Sequence, residues 1–352
     1  MIARAFALLW ICLATAAGAQ GFAGLGTDAD GFALPSADSA LTFPADHGAH
    51  PDFRIEWWYL TANLRGDDGQ DYGVQWTLFR SALSPEAGSG WQTPQIWMGH
   101  AAVTSASTHR FAQKLARGGI GQAGVTTAPF DAFIDDWQMR STAAEGDPLD
   151  ALTLSARGVD FAYALSLQAQ GPLVLQGDQG YSVKSPTGEA SYYYSQPFYD
   201  VTGTLTLPEG DVTVTGQAWL DREWSSQPLA NDQQGWDWLS LHFDDGSKLM
   251  GFGLRSSTGA HFTSATWITP TGQTTAYGDG ALTLDPLETV EVEGRKVPVR
   301  WRVTLPERDL KIDTEPLNPQ SWMGTMFPYW EGPIRFSGTH SGKGYLEMTG
   351  YE

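Results

Sequence analysis

The segment WLDREWSSQPL (Trp219–Leu229) places two carboxylates two residues apart among tryptophans. On an extended backbone alternate side chains share a face, so Asp221 and Glu223 lie beside Trp219 with their carboxyls about 7 Å apart. Arg222 and Trp224 then lie opposite. Two carboxyls so placed can serve as general acid and general base, provided one keeps its proton near neutrality. Apolar surroundings achieve this, because burial disfavours the charged form and raises a carboxyl pKa. A second reading of the same residues is a salt-bridge knot between domains. Just downstream, WDWLSLHF adds Asp237 and His242, which can face the same cleft. The catalytic candidates are Asp221, Glu223, Asp237 and His242.

A ligand would need walls, and the chain has them to spare. Fifteen tryptophans exceed what a core of this size needs; such aromatics fill wide barrels or line ligand sites. In FRIEWWYLTANL (Phe53–Leu64), Trp57, Tyr59, Thr61 and Asn63 point one way, while Glu56, Trp58, Leu60, Ala62 and Leu64 point the other. In a barrel one of these faces lines the lumen, and aromatics grading to Thr and Asn suit an amphipathic cavity. The candidate ligand wall comprises Trp57, Tyr59, Trp76, His100, Trp224, Trp236 and Trp238, with ordinary core packing as the competing reading. Glu56 sits at the end of the apolar face. Arg80 and Arg255 end apolar strands and read as barrel-closing or surface groups before anion binders.

The elements that must position these residues are strands. From Phe53 onward the pattern is short alternating runs broken by Gly, Asp and Pro, with almost no helical period. Examples are YGVQWTLFR, DALTLSARGVDFAYALSLQ and DVTGTLTLPEGDVTVTGQAWL, the last with a Pro-Glu-Gly-Asp turn. This predicts an all-β chain built as a sandwich or as up-and-down antiparallel barrels. EWWYLTANLRGDDGQDYGVQWTLFR (56–80) is echoed by GWDWLSLHFDDGSKLMGFGLR (235–255), each a Trp-rich strand, an Asp-Asp-Gly turn and an aromatic strand ending in Arg. Two copies of one β-domain follow, divided near Ser225. Glu56 has Gly235 as its counterpart, so the acids at the junction rank ahead of it.

Residues 1–19 read as a secretory signal peptide: Arg4, an apolar run from Ala5 to Ala16, and Ala17-Gly18-Ala19 before Gln20. The lone cysteine, Cys12, falls inside it, and Ile11 before it does not fit a lipoprotein site. The mature chain is expected to be exported, periplasmic or secreted, with no integral membrane segment. Residues 20–45 form an extended lead-in, 46–225 the first domain and 226–352 the second. Net charge is −19, with no basic block to track a phosphate backbone or an anionic bilayer, so nucleic acid is not an expected partner. Gly119-x-Gly121-x-x-Gly124 lacks the strand–helix context of a dinucleotide loop, no Gly-x-Ser-x-Gly elbow exists, and the histidines show no metal spacing beyond His47-x-x-His50. No cofactor and no metal are expected.

FPADHGAHPDFRIEWWYLTANL, YGVQWTLFR, WMGHAAVTS, AWLDREWSSQPL, GWDWLSLHFDDGSKLMGFGLR, PYWEGPIRFSG and GKGYLEMTGY, in this order, resemble the AttH-like family, related to carotenoid 1,2-hydratase. The resemblance spans essentially the whole mature chain. It implies two tandem lipocalin-like β-barrel domains, an apolar ligand site and, for some members, association with an ABC exporter gene set. The hydratase branch protonates an isoprenoid double bond and lets water capture the cation, which needs an acid and aromatic faces. The expected function is binding of a hydrophobic small molecule, lipid or isoprenoid-like, with cofactor-free hydratase or hydrolase activity. A non-enzymatic accessory of an ABC export system is the alternative; paired carboxylates beside tryptophans also allow a carbohydrate-active protein.

Overall fold

The computed structural model describes residues 29–351 apart from residue 260. The leader expected at 1–19 and residues 20–28 of the lead-in lie outside the described residues. The described chain is nearly all β and forms two antiparallel sheets, one a nearly closed barrel and the other a half-barrel. These are the two lipocalin-like domains that the strand pattern and the motifs imply.

The first sheet runs, neighbour to neighbour, His109–Arg117, Gln95–Ser105, Asp71–Ala82, Ile55–Gly66, Gly210–Ser225, Ala190–Leu207, Ala162–Ala169, Ala151–Arg157, Trp137–Ser141, Phe130–Ile134 and Ala123–Thr127. The second runs Thr274–Tyr277, His261–Ile268, Lys248–Ser256, Gln233–Phe243, Gly342–Thr349, Tyr329–Gly338, Leu310–Pro316, Arg295–Leu305 and Thr283–Val292. Each sheet is thus a four-strand meander whose first strand also pairs with the last strand of its domain. The two echoed segments, 56–80 and 235–255, occupy equivalent places. Among the described residues no helix is long and apolar enough to cross a membrane.

Burial along the strands shows where the domains meet. Ala162–Ala169 alternates, with Tyr163, Leu165 and Leu167 buried and their neighbours toward water, as a strand with one covered face should. Gly210–Ser225 begins the same way, but from Ala218 to Ser225 every residue is buried. At that point the second domain covers the outside of the barrel. A dedicated apolar cluster lies there, joining Tyr59, Tyr193 and Trp219 to Trp238, Phe252 and Leu254. Side chains of the second domain press onto the first-domain backbone: a Cβ on Gly73 would lie 2.5 Å from Pro333 Cγ and 2.6 Å from the Tyr345 hydroxyl, so this position needs glycine. The barrel lumen is filled, with Trp58, Trp76, Trp137 and Leu60 fully buried in one core. The lumen therefore does not present the Trp57–Tyr59 face; that face looks outward, to the other domain.

Glu56 has a structural task. Its buried carboxylate accepts from Arg80 Nε, from Arg222 Nη2 at 3.1 Å, and from the ring and backbone N–H of His50 at 3.0 and 2.8 Å. Burial alone would raise its pKa, but the His50 hydrogen bond and the charges of Arg80 and Arg222 override it and hold the group at about 2. Arg222 lies 3.8 Å over the Trp58 ring and donates to Gly48 O and Trp57 O. The network fastens residues 48–53, which lead into the first strand, to the barrel. Arg80 is a core group, and Arg255 pairs with Asp237.

Candidate active site

Strand register, not loop geometry, assembles the site. In the first domain Tyr59 stands between Thr77 and Asp221, and Trp57 between Phe79 and Glu223. One strand further, Ser195 stands beside Asp221 and Tyr193 beside Glu223. Because neighbours in register share a face, all of these point out of the barrel together. In the second domain Trp238 stands between Phe252 and Glu347, with Glu331 beside Glu347 and Tyr329 one pair further on. The two patches face each other across a cavity of about 80 Å³. That is room for several waters or the body of a small ligand.

The walls are aromatic. Trp57, Tyr59, Phe79, Trp236, Trp238 and Phe252 contribute, with Tyr59 and Trp238 edge to face at 5.3 Å between centroids. Into this lining project three carboxyls, Asp221, Glu223 and Glu347, and one ammonium, Lys184. Asp221 Oδ1 accepts from Ser195 Oγ at 2.5 Å and Trp219 Nε1 at 2.6 Å, and Oδ2 from the Tyr193 hydroxyl at 2.8 Å. Trp238 Nε1 donates to that same hydroxyl at 3.1 Å. Burial raises Asp221 to about 7, against those three donors, with the charge of Glu223 adding to the rise. Burial likewise raises Glu347 to about 7, opposed by hydrogen bonds from Trp236 (2.6 Å) and Tyr59 and reinforced by the charges of Asp221 and Glu223. Glu223 instead has a cation partner: Lys184 Nζ sits 2.7 Å from its Oε1, and Ser191 Oγ donates to it.

Behind this shell lies Glu331, 1% exposed. Its Oε1 accepts from the Tyr59 hydroxyl at 2.5 Å, and burial followed by the charge of Glu347 pushes its pKa well above the carboxylate range. Chemically, the site offers two acids that share protons near neutrality, tyrosine hydroxyls that can pass them on, and ring faces that stabilise positive charge.

Of the residues singled out in the sequence, Asp221, Glu223, Trp57, Tyr59, Trp236 and Trp238 line the cavity. The others do not. Asp237 has the opposite parity to Trp236 and Trp238, and its carboxylate accepts from Arg255 Nη1 at 2.5 Å and Tyr351 OH at 2.9 Å on the far face of the sheet. His242 shares the cavity face but lies further along the strand, edge-on to Trp219 at 5.7 Å; burial and then Lys248 drive its pKa well below the usual histidine range. Trp76 and Trp224 belong to the barrel core, Trp224 stacking on His50 at 4.0 Å. His100 is fully buried one layer behind the wall, its Nδ1 3.0 Å from the Tyr329 hydroxyl. Sequence reasoning passed over Glu347, Glu331, Tyr193, Tyr329 and Lys184. The signal was present in YWEGPI and YLEMTG, where a lone carboxylate interrupts an otherwise apolar strand. Among the described residues no group of three or more His, Cys, Asp or Glu is placed to hold a metal ion.

A family model described as AttH-like matches residues 34–351. The crystal structure of an AttH-like protein of Nitrosomonas europaea is similar over 91% of this chain and 99% of that one, at 34% identity and a TM-score of 0.81. Kievitone hydratase of Nectria haematococca shares the fold over 90% of this chain and 95% of its own, at 15% identity and a TM-score of 0.67. No curated protein matches the sequence. The family read from the sequence motifs is thus the family found.

Proposed function

From the premise that this chain belongs to the AttH-like family, we propose that it is a cofactor-independent hydratase acting on an apolar alkene of isoprenoid or prenyl type. The observation that carries the reading is the convergence of Asp221 and Glu347, two buried carboxyls poised between protonated and ionised near neutrality, on an aromatic-walled cavity. With Asp221 protonated on Oδ2, it donates to the Tyr193 oxygen, which leaves the Tyr193 O–H free to turn to the substrate. The phenol gives its proton to one alkene carbon and takes the Asp221 proton in return. The cation left on the other carbon is stabilised by the faces of Trp57, Trp236 and Trp238. Water adds its oxygen there and releases one proton to ionised Glu347, so the product gains one water and the site keeps its proton count. Kievitone hydratase, which shares the fold, carries the same reaction type in its name. The reading includes binding of a hydrophobic small molecule and export by the leader at 1–19, so that protein recovered outside the cytoplasm begins at Gln20.

The test is turnover in ¹⁸O-labelled water with kievitone and simple isoprenoid alkenes as probes. A product heavier by one labelled water supports the reading. No labelled product from any probe, together with purified protein that carries and binds no apolar ligand, overturns it.

A further inference from the structure

Under the reading above, each turnover leaves Asp221 ionised and Glu347 protonated, so Glu347 must shed a proton and Asp221 regain one, yet both are buried between two domains. Glu331 and Glu347 are direct neighbours across adjacent strands and point the same way. Two like charges at such a position, with no cation paired to either among the described residues, destabilise the sheet unless one or both carry a proton. The groups bearing on the pair are Tyr59, Tyr329, Tyr345, Tyr163, Asp221 and Glu223.

From Glu331 a line of polar groups leads outward through the interface. The Tyr59 hydroxyl bridges the two acids, donating to Glu331 Oε1 at 2.5 Å and interacting with Glu347. Glu331 Oε2 is buried and meets no partner at hydrogen-bonding geometry among the described residues, which leaves it free to hold a proton beside the Tyr329 hydroxyl that bears on the same carboxyl. Tyr329 OH lies 3.0 Å from His100 Nδ1, and His100 Nε2 lies 2.9 Å from Gln113 Nε2. The Gln113 amide is oriented by its Oε1 accepting from Met326 N–H at 3.3 Å, so its N–H₂ faces the imidazole. His100 therefore accepts at Nε2 and carries its hydrogen on Nδ1, toward Tyr329. Gln113 is half-buried at the surface and caps the ring.

We infer that Tyr59, Glu331, Tyr329 and His100 form a proton path from the cavity wall to the surface, with His100 as its outer relay and Gln113 as the cap that admits water. An amide does not conduct protons, so the path opens when Gln113 swings aside and water takes its place on Nε2; with its hydrogen then on Nε2, donated to that water, the ring can accept the Tyr329 proton at Nδ1. The inference rests on the proposed hydration only for its purpose. Its geometry stands alone.

The experiment follows the infrared carbonyl band of protonated Glu331 in the full-length mature protein, identified as the band that Glu331→Gln removes, and times its shift on transfer to heavy water. No substrate is present. Gln113→Ala should accelerate that exchange and His100→Phe should slow it, each by about tenfold or more, because one removes the cap and the other the relay. Opposite signs are the signature, since mere loosening of the fold would speed both. Absence of a protonated Glu331 band at neutral pH overturns the path, and so do changes of the same sign or no change. Should His100→Phe fail to fold, His100→Gln takes its place, with the same slowing expected. A protein that hydrates nothing yet shows the opposite-signed pair loses the functional reading and keeps the path; labelled product without the pair does the reverse.

Discussion

Replacing Asp221 by Asn separates a catalytic carboxyl from a structural one. The amide reproduces the protonated acid: Oδ1 still accepts from Ser195 and Trp219, and the new N–H₂ donates to the Tyr193 oxygen. Asp221 rises from 3.8 to about 7 on folding. At about 1.36 kcal/mol per unit, ionising it in place costs at most about 4 kcal/mol, and relaxation of the site lowers this to about 2–4 kcal/mol. A folded-state pKa above the unfolded value means that the contribution is complete below about 4 and lost as pH rises through about 7. Urea unfolding near pH 4 should find wild type and Asp221→Asn alike to within about 1 kcal/mol, and near pH 8 the variant should be the more stable by about 2–4 kcal/mol. Its turnover should fall about 10²- to 10⁴-fold at every pH. Stability curves that run parallel across this range, or a variant less stable near pH 8, would refute the reasoning and favour the salt-bridge knot.

Glu56→Gln leaves Arg80 and Arg222 buried without a counter-charge, and thermal melting should report a loss of about 3–5 kcal/mol; under about 1 kcal/mol would contradict the clamp. Because Glu56 is held at about 2, wild-type stability from this group is present above the ordinary carboxylate range and should be lost as pH falls from about 4.5 toward 2, a slope that the variant lacks. A protonated tertiary amine on an isoprenyl chain mimics the cation and should displace a fluorescent apolar probe about tenfold better than its neutral isostere, a preference that Trp238→Ala erases. Equal affinities for the two would argue against a cation-stabilising cavity.

Much of the fold was legible because its signals are local. The period-two runs and the Asp-Asp-Gly turns name strands and hairpins, and the echo between 56–80 and 235–255 marks equivalent strands. Parity along Ile55–Gly66 separated Trp57 and Tyr59 from Trp58 and Leu60, and parity along Gly210–Ser225 joined Asp221 to Glu223. Parity also carried the information that Asp237 lies opposite Trp236 and Trp238. What parity cannot give is position along a shared face, which is why His242 ends beyond Trp219. Nor can it pair distant strands: Glu347 reaches Trp236, and Tyr59 reaches Glu331, through contacts more than a hundred residues apart. Glu56 and Glu347 look alike in sequence, each a carboxylate in an apolar strand. Their chemistry diverges because two arginines meet one and, among the described residues, none meets the other.

The duplicated framework also explains how two acids so close can take different parts. Register equates Tyr59 with Trp238, Asp221 with Glu347, Ser195 with Glu331 and Tyr193 with Tyr329. A site doubled without change would titrate as an even pair, with no distinction between donor and acceptor. The copies have diverged at the positions that break this tie. Ser195 gives Asp221 a hydroxyl donor, while its counterpart Glu331 gives Glu347 a second carboxyl. Glu223, beside Tyr193, is matched by Thr349 beside Tyr329, so the first copy alone carries an acid here, paired with Lys184. One half thus fixes a carboxyl against a phenol turned to the cavity, and the other gives its carboxyl a neighbour able to take the proton away. That asymmetry is what a cycle of protonation, water capture and proton release requires.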